Sequence, residues 1–348
     1  MPGHVVAVVL FAALLHAGWN ALVKAGKEPF LTSVLVASGG ALISAVLLPF
    51  LPSPAPASWP FVAASTGIHF FYYGFLAAAY RHGDMSHTYP LMRGSAPLLV
   101  AIASIPLLGE RLSAQQYAAV ATICAGILGL WFTAPRNAQS PAGDKPPAAR
   151  PVAASAAPSP AAPAAAVHAA HATYSTSEAH AAQLAYSTSE APEPADASGP
   201  VGALGPRPRW RATVFALLNA LAIAAYTLVD GIGVRRSGAP AAYTMWLFVL
   251  SASGLLIWTL LRRPRELRDY ARQYWRVAAL GGVGTLAAYG LALWAMTAAP
   301  VAAVAALRET SILFAAAIAA LFLREKIGRR RGAAIAIIAA GAALMRFA

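Results

Sequence analysis

Ten stretches of this chain are each long and apolar enough to cross a bilayer: residues 4–24, 30–51, 59–80, 88–108, 114–132, 211–230, 241–261, 275–297, 300–323 and 329–347. A span needs about 20 mostly apolar residues. Inside lipid the backbone must satisfy its own polar groups, which leaves helices or closed barrels. The runs are too long for barrel strands and lack their two-residue alternation. An all-α integral membrane protein with ten transmembrane helices is therefore predicted. Composition points the same way: of 348 residues, 58% are hydrophobic and 11% charged, against about 25% charged in a soluble domain.

The formal net charge of +13 would suggest a nucleic-acid partner in a soluble chain. In a membrane chain, basic loops are topology signals held on the cytoplasmic side, and no groove-reading or base-stacking module is present. No nucleic-acid partner is expected; membrane lipid is. The single cysteine, Cys124, lies in an apolar run, so neither a disulfide framework nor a cysteine metal site is predicted. The opening "MPGHVVAVVLFAALLHAGWNALVK" lacks a basic n-region and a small-residue cleavage site, and reads as a first membrane helix.

Residues 133–209 divide the spans into two sets of five. They are rich in Ala, Pro and Ser, have no amphipathic period, and contain "YSTSEA" twice. Such a segment buries too little to offset its ordering entropy, so a disordered linker is expected. Its histidines, His168, His171 and His180, have no fixed geometry for a metal. The flanking sets, 1–132 and 210–348, resemble each other. At an offset of 215, Arg93 falls on Arg308, Glu110 on Glu325, Arg111 on Lys326 and Gly126 on Gly341, while "AAVATICAG" falls on "AAIAIIAAG". At 216, Tyr73-Gly74 meets Tyr289-Gly290. An odd number of spans makes the second copy enter the membrane inverted, the architecture that can expose a midplane site to either side in turn.

Charge sets the orientation. The second and fourth loops carry only Arg111, whereas their counterparts carry eleven basic residues, Arg262 to Arg276 and Arg324 to Arg331. The positive-inside rule places those loops and the linker in the cytoplasm and both termini outside. Arg235 and Arg236 oppose this assignment.

"LLGERL" (107–112) after the fourth run and "FLREKI" (322–327) after the ninth, with "CAGILGL", "AAGAALM" and "HAGWNALVKAG", resemble the drug/metabolite transporter superfamily in its EamA-type form with two five-helix repeats. "GDMSHTYPLMRGSAPL" with "ALRETSILFA" is more loosely similar to a subgroup associated with phosphonate utilisation. The resemblance implies a cavity surrounded by the first, third and fourth spans and their repeat partners. It implies the fifth and tenth spans as outer supports, small organic solutes as cargo, and no bound cofactor. The expected setting is a multi-pass protein of a bacterial inner (cell) membrane; a homodimer is compatible with the sequence.

Two arginines stand inside apolar runs, where a charge costs about 2.5–3.5 kcal/mol at the membrane centre. Either Arg93 and Arg308 fix helix contacts by pairing with Glu309, Asp230 or Asp84, or both face the cavity and attract an anion. A guanidinium fork suits carboxylate or phosphonate. Glu309, and with it Asp230, is the candidate for proton coupling, because a carboxylate within a span can take up and release a proton during a cycle. Trp19, Asn20, Tyr73, Tyr226 and Tyr289 are candidate substrate-binding residues. His16 and Asn20 share a helix face, and His69, Tyr72 and Trp294 add ring surface. Glu110 and Glu325 read as structural, as salt-bridge or headgroup-level anchors near the interface, and His82, Asp84 and His87 lack a tight metal-ligand motif.

The predicted function is secondary active transport of a small polar or anionic metabolite by alternating access, proton-coupled or by exchange. No phosphate-cradling "GxxxxGK[ST]" is present for ATP use. Two alternatives use the same residues: a flippase for a lipid-linked substrate, which needs a lateral opening, and a membrane enzyme acting on a phosphorylated lipid. The enzyme would need a clustered nucleophile and base, which the sequence lacks, so the chain is not read as an enzyme.

Overall fold

The computed structural model describes residues 1–26, 28–83, 85–133, 209–322 and 328–347. The Ala/Pro/Ser segment with its "YSTSEA" copies and histidines, together with Lys27, Asp84, Arg324, Glu325 and Lys326, lies outside the described residues. Among the described residues eleven α-helices follow in order: α1 (Gly3–Ala25), α2 (Pro29–Leu47), α3 (Trp59–His82), α4 (Met85–Leu108), α5 (Ala114–Thr133), α6 (Arg209–Ser237), α7 (Pro240–Arg262), α8 (Pro264–Ala298), α9 (Val301–Arg308), α10 (Ser311–Phe322) and α11 (Arg329–Phe347). No strand occurs among the described residues. Among the described residues eight spans meet the length and apolarity needed to cross a membrane, α9 and α10 together forming one of them. The apolar stretch of α5, Ala114–Leu130, is shorter, and α11 carries Arg329, Arg330 and Arg331 at one end and Arg346 at the other. At 1.5 Å per residue, α5 and α11 are roughly 28–30 Å long, about the thickness of the hydrocarbon core.

Local chemistry starts these helices. Glu28 caps α2, its Oε2 accepting from Leu31 N at 2.6 Å, with Pro29 at the first helical position. Ser113 and Gln116 form a reciprocal capping box at α5, Ser113 N donating to Gln116 Oε1 at 3.0 Å and Gln116 N to Ser113 Oγ at 3.2 Å. The outer surface presents Phe71, Ile102, Leu261, Leu280 and Leu321. In water that would be a liability, and against acyl chains it is what insertion requires.

The packing repeats across the two halves. α3 lies against α6 as α1 lies against α8, and α4 against α6 as α1 against α9 and α10. The clearest pair is α5 with α11. A Cβ on Gly126 would stand 2.6 Å from Ile338 Cγ1, and one on Gly341 would stand 2.7 Å from Ile123 Cγ1. Those two contacts interchange under the 215-residue offset. Farther along, Gly129 faces Ala334. As the position on α5 advances, its partner on α11 recedes, so the two helices run antiparallel, the arrangement an inverted copy produces. A second close approach joins α2 to α8, where a Cβ on Gly282 would come within 2.6 Å of Gly40 N.

Two elements differ from expectation. The charged stretch after α7, read as a loop, is helical from Pro264 and continues through a kink at Tyr274 (φ −115°, ψ 24°) into the eighth span. Leu267 is buried there, and Tyr270 Oη lies 2.7 Å from Thr32 Oγ1, tying the segment to α2. The ninth span is interrupted at Glu309–Thr310. Around that point the bonds tighten to three-residue spacing, with Thr310 N donating to Leu307 O and Leu313 N to Thr310 O. Its repeat partner α4 is unbroken but holds Pro97, which leaves the Arg93 carbonyl without its intrahelical donor. Both arginines thus sit where a helix ladder is interrupted.

Candidate functional site

A cavity of about 180 Å³ lies between the halves. His16 and Trp19 of α1, Ser33 and Val36 of α2, His69, Tyr72 and Tyr73 of α3 line it from the first half. Tyr226 of α6, Phe248 and Ser251 of α7, Thr285 and Tyr289 of α8, and Arg308 at the end of α9 line it from the second. The second and seventh spans therefore contribute, against the expectation of only the first, third, fourth and their partners. α4 contributes nothing to this wall. Neither do α5 and α11, which pack on each other outside it.

The two arginines do not share the chamber. Arg93 is 6% exposed and its Nε is 3.0 Å from Glu309 Oε2 across the repeat boundary, so the first cation is neutralised inside the protein. Arg308 is on the cavity wall, its guanidinium carbon 5.2 Å from the Tyr289 ring centroid. No carboxylate among the described residues pairs with it, and it is the one formally charged side chain of the wall. The 215-residue offset explains the difference. Glu309 corresponds to Gly94, so Arg308 has no symmetric counter-ion, and a Cβ at Gly94 would already stand 2.8 Å from Leu128 Cγ.

The remaining candidates divide in the same way. Trp19, Tyr73, Tyr226 and Tyr289 line the cavity; Asn20, Glu309 and Asp230 do not. Asn20 is 6% exposed and donates to the His16 carbonyl at 2.7 Å. Asp230 is fully buried behind the wall, accepting from Tyr289 Oη at 2.5 Å and Tyr243 Oη at 3.1 Å. It fixes the Tyr289 ring on which Arg308 rests. Rings cover much of the remaining surface: His69 stacks on Tyr226 at 4.4 Å between centroids, and Tyr72 meets Tyr226 edge-on at 6.0 Å. Trp294 is 39% exposed and off the wall. Among the described residues no group of three or more His, Cys, Asp or Glu is placed to hold a metal ion. Sequence reading missed Ser33, Phe248, Ser251 and Thr285, whose small or neutral side chains carry no signal within an apolar run.

Residues 210–347 match the model of the EamA-like transporter family. The second half is thus similar to the EamA-like transporters. A solved structure described only as a protein crystal structure aligns with 99% of this chain and 96% of its own, at 17% identity and a TM-score of 0.59. At that identity the likeness concerns the fold. No curated protein matches the sequence. The chain is thus an all-helical, integral, multi-pass membrane protein whose second half is similar to a transporter family.

One face of this bundle is held together by polar contacts between helix ends. Consecutive spans alternate in direction, which gathers the ends of α4, α6 and α8 and the start of α9 opposite the C-terminal end of α5. There Glu110 Oε1 pairs with Arg235 Nη2 at 2.5 Å, and its Oε2 accepts from Val301 N, capping α9, at 2.9 Å. Arg235 also donates to the Met296 and Ala299 carbonyls at 2.7 and 2.9 Å, closing the end of α8. The Glu110 of "GERL" is therefore a salt-bridged joint between the halves. The cavity lies on the other side of the midplane or at it: His16 and Trp19 are past the middle of α1, and Ser33 and Val36 are in the first half of α2.

Proposed function

We propose that this protein is a secondary transporter that carries a small anionic or polar metabolite by alternating access, driven by proton coupling or exchange. The observation that carries the reading is the unequal fate of two repeat-related arginines. A cation held in a membrane cavity without a counter-ion is costly, and among the described residues Arg308 has no carboxylate partner while Arg93 has one. An anionic solute lowers that cost on arrival, which is the differential affinity a carrier needs in order to bias its own conformations. Trp19, Tyr73, Tyr226 and Tyr289 shape the site. The Glu110–Arg235 joint closes the far face, leaving the cavity towards the side that loop charge assigns to the cytoplasm, in what we take to be a bacterial inner membrane.

Glu309 is the coupling group in this reading. Protonated, it loses its hold on Arg93, and the contact between the halves loosens. Asp230 acts by positioning Tyr289. The test is counterflow in proteoliposomes with a panel of small anions at two pH gradients. Arg308→Gln abolishes exchange while the protein remains folded, and wild-type exchange by that variant overturns the proposal. The double variant R93Q/E309Q keeps exchange but loses accumulation driven by a pH gradient.

A further inference from the structure

The cavity also carries information about what it holds. Two polar atoms on its lining residues are buried and have no hydrogen-bond partner among the described residues: Trp19 Nε1 and His16 Nε2. An indole N–H can only donate, and an imidazole nitrogen donates whenever it carries the proton. Arg308 contributes five further N–H donors and lies within electrostatic reach of His16. α1, which carries the first two groups, packs directly against α9, which carries the third. All three residues line the one cavity, and no Asp or Glu among the described residues lies on its wall. The complement of such a set is an oxyanion, and nothing on the wall receives an ammonium by ion pairing.

Size and walls narrow the class. A cavity of about 150 Å³ accepts one benzene, and this one measures about 180 Å³, room for one ring and a small anionic group. The flat faces of Tyr226, stacked on His69, and of Tyr289, with Phe248 edge-on to it at 6.1 Å, are surfaces that rings stack on. With Arg308 the wall's one full cation, a monoanion is matched better than a dianion. We infer that the cavity binds a planar-ring monocarboxylate of benzoate size, its carboxylate held by Arg308, Trp19 Nε1–H and His16 and its ring lying between the aromatic walls. This rests on the reading of the cavity as the transport site.

The test uses the full chain in lipid nanodiscs with benzoate as the probe, titrated by calorimetry beside acetate, benzylammonium and phenylphosphonate. Benzoate binds at least tenfold more tightly than each of the other three. W19F, which keeps a ring but loses the N–H, and H16Q each weaken benzoate about 10- to 100-fold, as expected for a lost hydrogen bond to a charged group. R308K, which keeps the charge but loses the fork, weakens it as well. All variants are compared as monodisperse protein. Failure of benzoate to bind, equal binding of acetate, or unchanged binding by both W19F and H16Q overturns the inference. Counterflow separates this from the transport reading: exchange of a different small anion that still requires Arg308 overturns the substrate class and leaves transport standing.

Discussion

Replacing Glu309 with glutamine leaves the Arg93 guanidinium, 7% exposed, without its counter-charge in the interior of a membrane protein. Breaking a buried ion pair from one side costs about 3–5 kcal/mol, because the surviving charge stays desolvated. At about 2–4 °C per kcal/mol for a chain of more than 150 residues, the midpoint of thermal unfolding falls by roughly 6–20 °C. Arg93→Gln takes the paired cation from Glu309, which is 8% exposed, and falls into the same range. The double variant R93Q/E309Q places two neutral amides where the charges met. Replacing both members of a buried pair is often close to neutral, so it recovers most of the loss. Arg308→Gln removes a cation that has no carboxylate partner among the described residues and costs under about 1 kcal/mol, near the scale of an unpaired surface change. The assay is a double-mutant cycle read by thermal unfolding of detergent-solubilised protein, with size-exclusion profiles as the folding control. Additive single losses with no recovery in the double variant, or an Arg308→Gln as unstable as Arg93→Gln, would refute the assignment of one arginine to structure and the other to solute.

Three further outcomes follow from the packing. Gly126→Val and Gly341→Val each push α5 from α11, since their Cβ atoms would stand 2.6 and 2.7 Å from an isoleucine side chain; each lowers stability by about 1–3 kcal/mol, whereas Gly129→Ala, with Ala334 Cβ 4.0 Å away, is silent. Tyr289→Phe and Tyr243→Phe each remove one of the two hydrogen bonds to buried Asp230 and cost about 1–3 kcal/mol in thermal unfolding, but only Tyr289→Phe, whose ring is on the wall, also raises the KM for uptake. Glu110→Gln weakens the joint with Arg235, and cysteine-accessibility labelling at Ala299 increases relative to wild type; unchanged labelling counts against closure at that face.

Much of the fold was legible in the residues. The runs of apolar length, the 215-residue offset and the odd number of runs per half led to an all-α membrane protein built from two copies, and the antiparallel, exchangeable contacts of Gly126 and Gly341 follow that offset residue by residue. The site was legible only in its parts. Sequence shows that Arg93 and Arg308 correspond, but which carboxylate reaches which arginine depends on where α4 and the α9–α10 break meet in space. One readable signal was overlooked: at the same offset Glu309 falls on Gly94, so the copies were never equivalent in charge. The lining role of α2 and α7 had no sequence signal, because Ser33, Ser251 and Thr285 look like any small polar residue satisfied within its own helix. The helical start of α8 was hidden by its arginines, which read as a loop although Leu267 and Tyr270 sit three apart on a packed face.

The Glu110–Arg235 joint ties four helix ends into one unit. A single carboxylate there neutralises a guanidinium and caps a neighbouring helix, while that guanidinium holds the carbonyls of a third. None of these bonds can be given up alone without leaving a charge or a backbone group stranded at the membrane boundary. In the transport reading proposed above, opening that side breaks these bonds together, a latch made or released as one.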